Sequence, residues 1–227
     1  MSPRSFNNLT QRLDEVACLM KVFESRRARR AKNIRKEESA ILRGGLVLLS
    51  SHIEGFFEEL VEDAIEAFDL NSKTTSTIPN EIRARQIIKK TSDWKHDDSD
   101  RYWLMIQQAS KSPLFEDNKI YASGSIDPGL HTNGFSNPGT GEIEKLMKTV
   151  GIKDCWKSFL LIEPRVLYKS EIDAIVSRRN QIAHGDMGSS ITAIDLKNYA
   201  SNFNHTAGVF VDLSERHIKS FIPSFSW

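Results

Sequence analysis

Two cysteines, Cys18 and Cys155, are all the thiol in this 227-residue chain. They are too few and too far apart for a disulfide framework, and neither stands in a paired motif that would build a four-ligand metal site. A reducing compartment is the expectation. Net charge is nearly absent too: 31 Lys and Arg oppose 30 Asp and Glu. The molecule as a whole therefore has no field to hold a polyanion or an anionic membrane, and any contact with nucleic acid has to be local. No uninterrupted apolar run approaches the roughly 20 residues that cross a bilayer, and Met1 to Thr10 are polar where a secretory leader needs an apolar segment. A soluble, cytoplasmic protein follows. His96, His131, His205 and His217 show no ligand spacing with Cys or carboxylates, so neither a metal nor a cofactor is expected.

Alternating period-2 runs and internal repeats are missing as well, whereas helical periodicity is plentiful. Leu9, Leu13, Val16, Met20 and Phe23 recur in steps of three and four and lay one apolar stripe along a first helix. The stretch from Glu37 to Asp69 carries Leu46, Val47, Leu48, Leu49, Ile53, Phe56, Phe57, Leu60, Val61, Ala64, Ile65 and Phe68, apolar on nearly every side at first and on one side later, the pattern of a central buried helix. Gly44 and Gly45 inside it mark a close helix crossing or a bend. Charge is segregated: ten basic residues against three acids up to Lys36, then one base against nine acids from Glu37 to Asp69. The basic run from Arg26 to Lys36 reads as a solvated helix end or a phosphate contact.

Farther on, Pro79 suits the first turn of a short helix through Lys90, and another is expected around Asp100 to Ala109. Seven prolines and glycines between Ser110 and Thr140 break any regular element, so an inserted loop region occupies 110–140. Thr140 is placed to cap a helix ending at Gly151, and an apolar piece follows around Trp156 to Ile162. Ser170 is placed to cap a helix carrying Ile172, Ile175, Val176 and Ile182 and ending near His184 and Gly185. Thr192 with Asp195 makes a capping box for a last helix bearing Tyr199, Phe203, Phe210 and Val211. Trp94, Trp103, Trp156 and Trp227 read as packing residues. The fold class is all-α, a helical bundle forming one domain over 1–227.

One segment is chemically pointed: Arg179-Asn180-Gln181-Ile182-Ala183-His184. Metal-free cleavage of RNA needs a base for the 2′-hydroxyl proton, an acid for the leaving 5′-oxygen and a cation on the phosphorane oxygens. Imidazole, which titrates near pH ~6.5 in general, serves as either acid or base, and guanidinium offers a planar charged fork to phosphate. Asn180 adds a neutral hydrogen bond. One histidine cannot be base and acid in the same displacement, which favours a two-fold dimer bringing two copies to one cleft.

Arg179-Asn180-x-x-x-His184 resembles the R-x(4–6)-H signature of the HEPN superfamily. Ser51-His52-Ile53-Glu54-Gly55-Phe56-Phe57 is similar to the helix-two segment of its RiboL-PSP-like branch, and Gly139-Thr140-Gly141-Glu142-Ile143 through Gly151-Ile152 to the middle segment. The resemblance implies an HEPN-type helical bundle, a homodimer, metal-independent endoribonuclease activity on RNA, and a role in toxin–antitoxin or antiviral defence with a cognate antitoxin or regulatory protein. Arg178 also has a permitted spacing to His184; Arg179 is favoured because Asn180 follows it. Glu54 either orients Arg179 or His184 as an ionic partner or belongs to the acidic face of its helix. Two rival readings stand beside the nuclease: a catalytically silent HEPN module that binds a nucleotide or protein, and a helical subunit docking through its acidic helix.

Overall fold

In the computed structural model the described residues are 2–28, 34–89, 99–186 and 191–227. Arg29, Arg30 and Lys32 of the basic run, Trp94, His96 and Gly188 lie outside them. The helices are α1 (Arg4–Ala28), α2 (Ile34–Asn71), α3 (Asn80–Lys89), α4 (Ser99–Ser110), α5 (Gly129–Thr132), α6 (Thr140–Lys148), α7 (Cys155–Ile162), α8 (Leu167–Ala183) and α9 (Ala193–Phe221). Among the described residues there is no strand, only one antiparallel bridge between Thr74 and Ile120. The fold is all-α.

The predicted stripes become the contacts. Leu9, Val16, Met20 and Phe23 of α1 are buried against α2, and polar pairs along the edge set the two helices antiparallel: Arg4 with Glu62 and Asp63, Arg12 with Glu59, and His52 Nε2 3.2 Å from Glu15. Down the middle, Phe57 meets Phe56, Phe203 and Phe210 with centroids 5.2, 6.2 and 4.9 Å apart. Phe210 in turn meets Trp156 and Phe159. Each such pair adds about 0.5–1.5 kcal/mol to the area term, so this chain of rings locks α9 and α7 onto α2. Gly45 decides between the two glycine readings: a Cβ there would lie 2.6 Å from Leu196 Cδ2 on α9, whereas Gly44 has open space around it. α2 continues through both as one helix, so the glycine serves a close crossing.

By length and composition α2 from Lys36 to Asn71 would cross a bilayer, yet half of its most apolar window is buried inside the protein, the position of a core helix.

Three local expectations are corrected. Thr140 is the first residue of α6 and Gly139 its N-cap; the Thr140 backbone N–H and hydroxyl both donate to Asp173. α8 begins at Leu167, ahead of Ser170, whose hydroxyl bonds back to the Leu167 carbonyl; burial of Tyr168 against Phe159 carries the helix back a turn. Trp103 is 61% exposed on α4, whereas Trp156 is buried. The capping box at Thr192 and Asp195 is present as read, with both reciprocal bonds. The 110–140 region is anchored: Asp69 accepts from the Tyr121 hydroxyl and from the Gly124 and Ile126 N–H groups, and Arg83 donates to the Leu114 and Phe115 carbonyls and to Asp117.

Candidate functional site

The C-terminus of α8 is built by a glycine. Gly185 takes φ +82, its N–H bonds the Ile182 carbonyl, and the Asp186 N–H bonds the Gln181 carbonyl. This pair of bonds past a left-handed residue is the Schellman closure, which stops a helix abruptly. His184 is thereby set at the C-cap with φ −83 and ψ 8, its N–H on the Asn180 carbonyl at 2.9 Å. Its imidazole is exposed and makes no side-chain hydrogen bond with another described residue.

Arg179 is half-buried, and its guanidinium is held. Nη1 donates to Asn180 Oδ1 at 3.0 Å and to Asn137 Oδ1 at 2.8 Å. Arg178 is occupied elsewhere: Nη1 lies 3.7 Å from Asp195 and the guanidinium sits 5.7 Å from the Tyr199 ring centre. It fastens α8 to the start of α9, so of the two arginines Arg179 is the one left with a neutral environment. The step from Arg179 to His184 corresponds to about 140° beyond one full turn of a regular helix.

Glu54, the other residue named from the sequence, stands on α2. It makes no hydrogen bond or ion pair with a described residue; together with burial, it and Glu62 hold the Glu58 carboxyl above its ordinary range. Three carboxylates of the acidic row on α2, Glu59, Glu62 and Asp63, are paired with α1. His52 is buried, and desolvation lowers its pKa, opposed by Glu15. The Asp173–Thr140 clamp ties α6 to α8, and Trp156 Nε1, donating to the Thr140 carbonyl, ties α7 to α6. Among the described residues no three of His, Cys, Asp and Glu gather as a metal site.

Asn137 escaped the sequence reading. It stood in the sequence only as part of an Asn-Pro-Gly turn, and nothing local ties it to an arginine on another helix. Its backbone takes φ +50, a left-handed conformation that Asn tolerates better than most residues.

A family model described as RiboL-PSP-HEPN matches residues 7–216. The chain belongs to this HEPN family. The match takes in α1, the buried stripe of α2, the α6 segment and the whole of α8 with its Arg-Asn and His. An uncharacterized protein of Bacillus anthracis is 24% identical over 188 residues, 76% of this chain and 41% of that protein. The chain thus spans about two fifths of the length of this relative. No solved structure matches.

Proposed function

We propose that this HEPN chain is a metal-independent endoribonuclease of a toxin–antitoxin or antiviral defence system, active in the cytoplasm as a homodimer. His184 takes the proton from a ribose 2′-hydroxyl, whose oxygen attacks the adjacent phosphorus. The P–O5′ bond breaks to leave a 2′,3′-cyclic phosphate, and a second histidine, from the partner copy, returns a proton to the 5′-oxygen. Arg179 carries the charge that develops on the equatorial oxygens, and Asn180 holds that guanidinium in register. The observation that supports this most directly is an exposed imidazole, without a hydrogen-bond partner among the described residues, on the same helix end as an arginine that donates to two neutral amides. A cognate antitoxin or regulatory protein would restrain such an activity.

Cleavage of a labelled RNA in EDTA is the test. His184→Ala should lower the rate by about 100-fold or more, with melting temperature unchanged because the side chain is exposed. RNA bound but not cleaved by wild-type protein would instead mark a binding module. Equal cleavage by wild type and variant would remove His184 from the chemistry.

A further inference from the structure

We propose that Asn137, reaching over from the inserted 110–140 loop, is the positioning residue that turns the Arg179 guanidinium so that its side-on fork faces a phosphodiester; this rests on the nuclease reading above.

Guanidinium is donor-only, so any amide bonded to it presents oxygen. Nη1 carries two N–H groups, and Asn180 and Asn137 supply one oxygen each. That saturates Nη1 and leaves Nε–H and both Nη2 hydrogens without an acceptor among the described residues. Nε with Nη2 is the edge that matches two oxygens of a phosphate. Neither amide carries charge, and no carboxylate among the described residues pairs with the guanidinium. Arg165 shows the contrast: its Nε and Nη2 are closed off by Glu163 at 2.7 and 2.8 Å. Of the two amides, Asn180 neighbours Arg179 on the same helix and follows its motion, whereas Asn137 belongs to another segment and fixes the plane from outside.

That segment is itself stapled to α8. Three residues past Asn137, the Thr140 N–H and hydroxyl grip Asp173 at 2.9 and 2.8 Å, and the buried Pro138 and the Gly139 N–H on the Asn137 carbonyl stiffen what lies between. The loop meets α8 at Asp173 and again at Arg179. Its docking therefore sets the arginine, which gives the insertion a task in the chemistry beyond covering the bundle.

Asn137→Gly subtracts the amide and keeps the left-handed backbone, which glycine adopts without strain. In the full-length protein we expect kcat for RNA cleavage to fall about ten- to a hundredfold, KM to change less, and the melting temperature to hold. By side-chain nitrogen NMR, rotation of the Arg179 Nη groups, assigned by loss of the signal in Arg179→Lys, should be slow in wild type and fast in the variant. Wild-type kcat in Asn137→Gly alongside an inactive His184→Ala overturns the positioning role and leaves the nuclease standing. An unchanged Nη signal, or a melting temperature that drops with the rate, overturns it too. Undiminished cleavage by His184→Ala would instead bring down the underlying nuclease reading.

Discussion

Acid should weaken this protein through one buried imidazole before its carboxylates titrate. His131 on α5 is 1% exposed; burial first, and then the charge of Arg85, push its pKa down to about 4, against partial opposition from the Thr149 backbone and Asp127. Its Nε2 lies 3.4 Å from the Gln86 amide nitrogen, a donor, so the neutral ring accepts there and has no need of a second proton. An unfolded chain takes that proton near pH ~6.5, the folded one only near 4. The stability this difference supplies is complete above the unfolded value and is lost as pH falls toward the folded one, reaching about 2 kcal/mol at pH ~5 and about 3 kcal/mol at pH ~4. His52 and His217, both lowered by burial, act in the same direction. Urea unfolding from pH ~7.5 to ~5 should show wild type losing about 2 kcal/mol more than His131→Gln. Curves that fall in parallel to within about 0.5 kcal/mol would refute the assignment.

The adjacent glycines of α2 should respond with opposite signs. Gly45→Ala forces a methyl against the fully buried Leu196 and should destabilise by about 1–3 kcal/mol, whereas Gly44→Ala, with open space around it, should stabilise by up to about 1 kcal/mol; thermal melts of both variants check the pair. Asp69→Ala strips the acceptor from Tyr121, Gly124 and Ile126 and should cost about 3 kcal/mol or more, with amide exchange accelerated across residues 121–126. The losses of cleavage expected for His184→Ala and of guanidinium order for Asn137→Gly complete the set.

Periodicity and caps are local properties, and the sequence carried them. The stripe of α1, the core position of α2, the Thr192–Asp195 box and the stop at Gly185 all follow from spacing and backbone chemistry within a few residues, so helix type, order and most ends were legible. Two ends were not, because distant groups decided them: Asp173 took over the capping of α6, and packing of Tyr168 extended α8 past Ser170. The exposure of Trp103 on α4 was not legible either. The candidate site divides along the same line. Arg179, Asn180 and His184 stand within one helix end and could be named from their order alone. The pairing of Arg178 with Asp195 and Tyr199, the influence of Glu54 on Glu58 and the bond from Arg179 to Asn137 became visible only once helices and loop were packed together. A chain encodes its hydrogen-bonding groups residue by residue, but which donor meets which acceptor across forty positions is settled by packing.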